Sequence, residues 1–325
     1  MQSVYDVIIV GTGPAGIFAA LELSEKTPLK ILMLEKGADI DERCCPLQET
    51  GACVRCRPCS IVSGWGGAGA FSDGKLTLTT DFGGWLDEYI ERSQVMSLIK
   101  YVDEVYLRFG APDKVFGADD EQVKEIQRLA AKADLSLIPA RIRHLGTEKC
   151  FTILRDMRNY LGQRVEIRSR TAVRSLIVQD GQIRGVETEK GEALRARYVI
   201  VAPGRDGAEW FAEEATRLGL KTKINPVDIG VRVEVPAVVL EHLTDAIYES
   251  KFVFFSKAFD DRVRTFCMNP HGEVVIENNS GLFTVNGHSY AEKKTENTNF
   301  ALLVSKTFTQ PFREPISYGK RIASL

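Results

Sequence analysis

Residues 5–16 read Tyr5-Asp6-Val7-Ile8-Ile9-Val10-Gly11-Thr12-Gly13-Pro14-Ala15-Gly16. The first half is a short run rich in β-branched residues, which predicts a buried strand. The second half is a G-x-G-x-x-G pattern, and apolar side chains follow it at helical spacing up to about Ser24. The stretch therefore predicts a strand, a tight turn and a helix, which is the context that gives a G-x-G-x-x-G pattern its meaning.

Each glycine of this turn has a separate task in a dinucleotide-binding fold. Gly11 permits the tight turn, Gly13 lets a pyrophosphate approach the backbone, and Gly16 lets the helix pack on the strand. The positive end of the helix and its free N–H groups then receive the phosphates, which places Pro14 and Ala15 in the same predicted site. A glycine-rich turn of chance composition is the alternative, and the joint occurrence of strand, glycines and helix disfavours it.

A second apolar run, Leu29–Leu34, predicts another strand and completes a βαβ unit. Glu35 ends this strand, where a carboxylate can bind the hydroxyls of a ribose and disfavours a 2′-phosphate. We therefore predict that Glu35 and the adjacent Lys36 lie at the adenosine end of a dinucleotide site.

A later segment, residues 198–204, reads Tyr-Val-Ile-Val-Ala-Pro-Gly and follows short predicted strands between residues 172 and 189. At these residues the sequence resembles the two-dinucleotide-binding flavoproteins of the glutathione reductase type. In those proteins a strand ending in Ala-Thr-Gly returns to the FAD site after a β-meander, and here Pro203 stands in place of the usual threonine. The resemblance favours FAD over NAD as the tightly held cofactor. It implies that three further residues contact the cofactor: Val173, Ala202 and Gly204.

A second glycine-rich run, residues 64–75, follows the cysteine segment 53–59. Small residues in series let backbone N–H groups line a concave surface for an anion or a ring. Together with segments 286–290, 297–304 and 318–321, these stretches resemble the predicted FAD-dependent dehydrogenases sometimes called NAD(FAD)-utilising dehydrogenases. The resemblance covers nearly the whole chain and implies a fold and a flavin, but no substrate. In related flavoproteins such a run faces the flavin and pyrophosphate, a role that we expect for Gly66, Gly67 and Ala68; a flexible surface loop is the alternative.

Five of the seven cysteines fall between residues 44 and 59. Four of them have spacing typical of metal ligands: Cys45, Cys53, Cys56 and Cys59. Four such thiolates can bind zinc or hold an iron–sulfur cluster. A C-x-x-C pair beside a flavin can instead shuttle electrons as a dithiol, and a cysteine-rich loop without a ligand is the third interpretation. Arg43, Arg55 and Arg57 are expected to lower the pKa of the nearby thiols.

Composition excludes several classes of protein. The 325 residues are 44% hydrophobic and 26% charged, which is typical of a globular chain with an extensive core. A net charge of −2 gives no global positive field for nucleic acid or an anionic membrane. No apolar run approaches the roughly 20 residues needed to span a bilayer, and the N-terminus lacks the pattern of a signal peptide. We therefore expect a cytoplasmic protein that acts on a small molecule.

Four side chains outside these motifs are candidates for proton or electron chemistry: Lys75, His271, His288 and Tyr290. Positive charge from Lys75 at the pyrimidine edge of a flavin would stabilise its reduced anionic form. A solvated turn is the favoured interpretation for His271, while His288 and Tyr290 either line a substrate pocket or belong to a surface loop. The sequence assigns no catalytic acid or base.

The predicted fold class is α/β, with a Rossmann-like FAD/NAD(P)-binding three-layer ββα domain, a helical insertion and a second β-rich domain. The FAD-binding domain is discontinuous and takes residues 1–84 and 165–218, the insertion takes residues 85–164, and the β-rich substrate or cap domain takes residues 219–325. Amphipathic patterns predict helices over residues 85–108, 119–133 and 151–161. Flavoproteins of this type close the cofactor site with a late glycine-rich segment, and none follows Arg321. We therefore expect the last domain to be C-terminally incomplete.

The predicted function is that of an FAD-dependent oxidoreductase with an unknown substrate and with NAD(P)H as a candidate electron donor or acceptor. FAD carries the electrons, while the protein binds, orients and tunes the ring. An FAD-binding redox sensor without turnover and an RNA-modifying flavoprotein are the alternatives. The near-neutral charge disfavours the second of these.

Overall fold

The computed structural model describes residues 5–279, 281–290, 293–309, 311–312 and 314–325. Its strands are β1 (Tyr5–Val10), β2 (Ile31–Leu34), β3 (Lys75–Thr77), β4 (Ser136–Ile138), β5 (Ile142–His144), β6 (Glu166–Arg168), β7 (Val173–Gln179), β8 (Gln182–Thr188), β9 (Ala193–Val201), β10 (Val227–Pro236), β11 (Lys251–Ser256), β12 (Asp261–Asn269), β13 (Glu273–Asn279), β14 (Leu282–His288) and β15 (Asn297–Lys306). Its α-helices are α1 (Pro14–Lys26), α2 (Leu47–Thr50), α3 (Arg92–Arg108), α4 (Asp120–Lys132), α5 (Thr147–Gly162), α6 (Ala208–Arg217), α7 (Glu241–Ile247) and α8 (Pro315–Ala323). Short 3₁₀ helices cover Ile40–Glu42, Gly67–Phe71, Leu86–Glu88 and Ala237–Val239.

These elements form two compact units. The first unit comprises Met1–Phe71, Cys150–Thr222 and Asn278–Gly281, and the second comprises Ser72–Lys149, Lys223–Glu277 and Leu282–Leu325. The bounds of these units differ from the predicted ones: residues 85–149 of the expected insertion lie in the second unit and residues 150–164 in the first, while residues 72–84 of the expected FAD-binding domain lie in the second unit. Strand pairing explains the difference, since β4 pairs with β11 and thereby joins this region to the second unit.

The first unit contains a six-stranded sheet in the order β6-β2-β1-β9-β8-β7. The strands β6, β2, β1 and β9 run parallel, while β8 and β7 continue from β9 as an antiparallel meander. This arrangement confirms the predicted α/β fold class and the predicted meander that returns into a parallel strand. Two parallel neighbours place β1 in the interior of the sheet.

The core of the first unit explains why the two opening strands read as continuous apolar runs. Strands of a parallel sheet are buried on both faces, so their side chains need no polar alternation. Ile8 and Ile9 of β1 and Leu32 and Met33 of β2 are all fully buried. The helix α1 packs with its own buried residues, which include Gly16, Ile17 and Leu21.

The second unit contains a five-stranded sheet in the order β10-β15-β12-β11-β4. The sequence did not predict β15, which pairs antiparallel with both β10 and β12. Its start is polar, and Thr298 and Asn299 are nonetheless fully buried, so the apolar pattern of a strand is absent there. The helix α3 begins at Arg92, later than predicted, because residues 86–88 form a separate 3₁₀ turn. Among the described residues no helix combines the length and apolar character needed to cross a membrane.

Candidate functional site

The first unit has a cavity of about 320 Å³ at the carboxyl ends of β1, β2 and β9. Open α/β sheets bind ligands outside the carboxyl ends of their strands, at the point where the strand order reverses. Most of the predicted cofactor residues line this cavity: Gly11, Gly13, Pro14, Glu35, Lys36, Gly67, Ala68, Val173, Ala202 and Gly204. Three others do not belong to its lining: Ala15, Gly16 and Gly66. The fold thus brings together segments that are far apart in the sequence.

The first glycine turn depends on the absence of side chains at two positions. Gly11 has a φ of +98°, and a Cβ there would collide with the carbonyl oxygen of Ala202. A Cβ on Gly16 would collide with the carbonyl oxygen of Gly11. Gly13 differs from both, since a Cβ there would meet no protein atom within 4 Å. The space beside the Gly13 Cα is therefore free of protein atoms, as is required where a ligand comes close to the backbone.

The N-terminus of α1 faces the cavity without a protein cap. Gly13 is the N-cap residue, Pro14 follows it, and no side chain of the described part of the chain caps the helix. No acidic residue stands in the first turn. The free N–H groups and the positive end of the helix dipole are therefore left for an anion.

The Glu35 carboxylate is hydrogen-bonded to three loops around the cavity. Its Oε2 accepts hydrogen bonds from the backbone N–H of Thr12 at 3.0 Å and from the Thr12 hydroxyl at 2.8 Å. Its Oε1 accepts from the backbone N–H of Gly37 at 2.8 Å and of Gly64 at 3.0 Å. The sequence predicted that this carboxylate binds a ribose. In the structure it accepts four hydrogen bonds from protein groups.

The second glycine run packs directly on the first. The backbone N–H of Gly66 donates to the carbonyl of Thr12 at 2.9 Å, and a Cβ on Gly67 would lie 3.2 Å from the Cα of Gly13. Arg43 fixes this run from behind by donating to the carbonyls of Trp65 at 2.6 Å and Gly67 at 2.7 Å. The run is consequently an ordered wall of the cavity, which disfavours the alternative of a flexible surface loop.

Lys36 and Asp206 form a polar pair at the rim of the cavity. The Lys36 ammonium lies 2.6 Å from the Asp206 carboxylate and also donates to the Asp206 carbonyl at 3.0 Å. The Ser63 hydroxyl donates to the same carboxylate. Burial would raise the pKa of Asp206, but the hydrogen bonds from Lys36 and Ser63 outweigh it and lower the pKa. Sequence reasoning missed Asp206, although its position just after Gly204 was a usable signal.

The cysteine segment does not form a recognisable metal centre. In the part of the chain that the structure describes, no group of three or more His, Cys, Asp or Glu is placed to hold a metal ion. Cys45, Cys53, Cys56 and Cys59 are free thiols of intermediate exposure. The zinc or iron–sulfur interpretation therefore has no support from the structure, because spacing along the chain did not fix the three-dimensional arrangement of the thiols. The dithiol interpretation stays a prediction.

The expected effect of the arginines on the thiols is wrong for Cys59. Burial raises the pKa of the Cys59 thiol, and the neighbouring thiols of Cys56 and Cys45 raise it further. Arg43 directs its guanidinium to backbone carbonyls, and burial lowers its own pKa to about 10. For Cys59, the arginines nearby in the sequence thus do not bring the pKa of the thiol below its usual value.

The isolated candidates lie in the second unit. His271 has its Nδ1 3.0 Å from the carbonyl of Thr295. His288 is buried, which lowers its pKa, and the Tyr290 hydroxyl donates to Glu273 at 2.5 Å. His271 and Tyr290 are therefore hydrogen-bonded to other residues of the unit, and His288 is buried.

Sequence reasoning missed a buried polar network around Tyr248. The Tyr248 hydroxyl lies 2.7 Å from the Ser289 hydroxyl, and its ring stacks on His144 with centroids 4.4 Å apart. Ser289 also lies 3.1 Å from Nε2 of His144. Tyr248 has a φ of +52° and ψ of −62°, and Glu249 N donates to Ile247 O at 2.6 Å across it. This is a strained turn of the kind that concentrates at functional sites.

His144 gives this network an expected dependence on pH. Burial lowers the pKa of His144 from 6.5 to about 4, only partly opposed by Asp73. The unfolded chain therefore binds a proton at a pH where the folded chain does not, so stability present above pH 6.5 is lost as the pH falls towards 4. The pKa difference corresponds to about 3 kcal/mol of unfolding free energy. Denaturant unfolding of the wild type across this range should show the loss.

A His144→Gln variant is the matched comparison for this pH dependence. Glutamine keeps a polar group near Ser289 and does not titrate, so its unfolding free energy should change less between pH 6.5 and 4 than that of the wild type. Identical pH profiles of the two proteins would contradict the assignment to His144.

The parallel sheet, the glycine turn and the meander define a Rossmann-like α/β fold in the first unit. No family model matches the chain. A curated relative, an uncharacterized protein of Clostridium beijerinckii, is 27% identical over 312 residues, which cover 92% of this chain and 51% of that protein. The chain thus spans about half the length of this relative.

Three solved structures show a limited similarity to this chain. L-proline dehydrogenase from P. horikoshii has a TM-score of 0.47 and 15% identity, with 98% of this chain and 76% of that chain covered. Glycine oxidase from Geobacillus kaustophilus has a TM-score of 0.43 and 16% identity, covering 100% and 78%. L-amino acid deaminase from Proteus vulgaris, with its specific insertion sequence deleted, has a TM-score of 0.43 and 15% identity, covering 79% and 67%. All three TM-scores lie below 0.5, and the function is therefore inferred from the residues of the site.

Proposed function

We propose that the first unit binds FAD and that the protein is an FAD-dependent oxidoreductase of a small molecule. The observation that carries this proposal is the cavity at the carboxyl ends of β1, β2 and β9, where both glycine runs and the Ala202–Gly204 segment meet. Its volume and its mixture of apolar and polar groups suit a cofactor. NAD(P)H as the electron donor or acceptor is part of the same proposal.

The residues of the cavity fit the parts of FAD. The uncapped N-terminus of α1 at Gly13 and Pro14 supports binding of the pyrophosphate. Glu35 and Lys36 support binding of the adenosine end; a ribose hydroxyl would there take the place of the Thr12 hydroxyl, which can rotate away. Gly67 and Ala68 are small, so a ring can lie against their backbone groups.

FAD supplies the electron-transfer chemistry when it is bound, and the chain supplies the environment. The cavity is bordered by apolar side chains at the ends of β1 and β2, Val10 and Leu34, which belong to the hydrophobic core of the unit. Lys36 and Asp206 neutralise one another at the rim, so their contact adds no net charge there. The chain therefore binds and orients the cofactor mainly through backbone groups.

Anaerobic purification followed by absorption spectroscopy tests the proposal. We expect the paired near-UV and blue bands of oxidised flavin, either as isolated or after reconstitution with FAD. We further expect these bands to bleach when NADH, NADPH or a small-molecule donor is added. A folded protein that takes up no FAD would overturn the proposal.

A Gly13→Ala variant should separate cofactor binding from folding. Gly13 has a φ of −70° and a ψ of 179°, which alanine adopts without strain, and the added methyl group meets no protein atom within 4 Å. The smaller conformational entropy of the unfolded chain favours alanine, but the N-cap position favours glycine, so the unfolding free energy should stay within about 1 kcal/mol of the wild type. Its methyl group would occupy the space of the pyrophosphate, so the affinity for FAD should fall by about tenfold or more.

Thermal unfolding of the apo-protein and flavin titration are the two measurements for this variant. The unfolding temperature is the internal control, because it shows that the turn at Gly13 has kept its structure. Unchanged FAD affinity in a stable Gly13→Ala protein would place the pyrophosphate elsewhere.

A further inference from the structure

The second unit contains an arginine whose hydrogen bonding is incomplete. Arg232 lies on β10, and its Nη1 donates to Oδ1 of Asn299 at 2.5 Å and to the carbonyl of Cys267 at 3.2 Å. Its Nη2 makes one long contact, 3.4 Å, with Oδ1 of Asn286. Its Nε is buried and has no hydrogen-bond partner among the residues that the structure describes. Among the described residues, the hydrogen-bond partners of this cation are all neutral.

Other arginines of the chain show how such a group is normally satisfied. Arg143, in the same unit, binds Asp103 with Nε at 2.6 Å and Nη2 at 2.8 Å from the two carboxylate oxygens. Arg217 binds Glu214 through the same two nitrogens at 2.7 and 2.6 Å. Within the described residues, no carboxylate lies within ion-pair distance of Arg232.

The unfilled edge of Arg232 is the one that binds carboxylates. Nε–H and one N–H of Nη2 point the same way from the planar guanidinium and match the two oxygens of a carboxylate. Leaving a buried donor of a charged group without an acceptor is unfavourable. The charge and the geometry of this edge therefore both select a planar anion.

A second unpartnered donor lies beside the guanidinium. Asn299 is fully buried, and its Nδ2 has no hydrogen-bond partner, while its Oδ1 holds Arg232. Oδ1 of the fully buried Asn269 is also unpartnered. Among the described residues, the buried Nε of the half-buried Arg232 and the buried Nδ2 of Asn299 are thus two donors left unused in one cluster, beside the unused acceptor Oδ1 of Asn269.

Gly287 allows this cluster to assemble. A Cβ at Gly287 would collide with Nδ2 of Asn269, Oδ1 of Asn299 and Nη1 of Arg232. The three polar groups therefore converge on the backbone of β14 at a residue without a side chain. Asn286 and Gly287 begin the segment 286–290 that the sequence singled out, and this packing gives their positions a physical reason.

We propose that the second unit binds the carboxylate of a small organic acid at the Nε and Nη2 edge of Arg232, with Nδ2 of Asn299 as an additional donor. The site consists of residues of the second unit alone, so it does not depend on the proposed binding of FAD. The two proposals can therefore fail separately.

Calorimetric titration of the flavin-free protein tests this site at constant ionic strength. Benzoate and acetate are the probes, benzamide is the uncharged counterpart of benzoate, and inorganic phosphate is the competing type of anion. We expect saturable binding of one carboxylate per chain and no binding of benzamide. Equal binding of benzamide, preferential binding of phosphate, or no binding of either acid at millimolar concentration would overturn the proposal.

An Asn299→Asp variant places a carboxylate beside Arg232 with almost no change in shape. It neutralises the guanidinium from within, so the affinity for benzoate or acetate should fall by at least about tenfold. Arg232→Lys keeps the charge but removes Nε and the planar fork, and it should weaken binding as well. Unchanged affinity in both variants would overturn the site.

Arg264→Lys is the matched control. Arg264 lies in the same sheet, but its guanidinium already binds the two oxygens of Asp228 at 3.1 and 2.8 Å. Its replacement should leave the affinity for carboxylates at the wild-type value. A loss equal to that of Arg232→Lys would show a general effect of charge or folding and would overturn the assignment to Arg232.

Discussion

Replacing Glu35 with glutamine should lower the unfolding free energy of the first unit by about 3 kcal/mol or more and abolish FAD binding. The carboxylate is buried and accepts four hydrogen bonds, two from Thr12 and one each from the backbone of Gly37 and Gly64. Glutamine offers one acceptor oxygen and one amino group. The glutamine amino group would then face either the N–H groups of Gly37 and Gly64 or the N–H and hydroxyl groups of Thr12, so these hydrogen bonds would be lost. Each hydrogen bond to a charged group contributes about 1.5–3 kcal/mol.

Denaturant unfolding and flavin titration measure the two effects of Glu35→Gln. Glu42→Gln is the control, because Glu42 is exposed and its carboxylate forms a surface ion pair with Arg170 at 2.9 Å. An exposed ion pair contributes less than about 1 kcal/mol, so this variant should be close to wild type. A Glu35→Gln protein with wild-type stability would contradict the role of the carboxylate as a junction between loops.

Local patterns were sufficient to predict the strands β1 and β2, the glycine turn and the position of Glu35. These features depend on residues that are close in sequence, and each follows from a simple steric or periodic rule. The role of Gly64 as a donor to Glu35 was not predictable in this way. It arises because Gly37 and Gly64 approach so closely that a Cβ on Gly37 would lie against the Gly64 backbone.

The missed features share a physical cause, which is polar side chains that become buried through distant partners. The polar start of β15 carries Asn299, which is buried because Arg232 and Asn269 satisfy its amide oxygen. Tyr248 and Ser289 meet across a large sequence separation as well. Periodicity records burial only where the buried side chains are apolar, so such residues read as loops.

Lys75→Met should lower the stability of the second unit by about 3–5 kcal/mol, because it leaves two buried carboxylates without their cation. The Lys75 ammonium lies 2.8 Å from Glu249 and 3.2 Å from Asp73, and it donates to the carbonyl of Met268 at 2.8 Å. The three charged side chains are only 9%, 6% and 4% exposed for Lys75, Glu249 and Asp73. Burial alone would lower the pKa of Lys75, but the two carboxylates raise it well above its usual value.

The double variant Lys75→Met with Glu249→Gln distinguishes a counter-ion from a side chain that merely fills space. Removing one carboxylate charge should restore part of the stability lost in Lys75→Met, and that restoration is the coupling energy of a double-mutant cycle. Lys223→Met is the control, since Lys223 is 75% exposed and its contact with Glu88 should contribute little. If the losses simply add, Lys75 is not the counter-ion of Glu249. If they couple, the two carboxylates already neutralise Lys75, and its charge is not free to stabilise the reduced flavin predicted from the sequence.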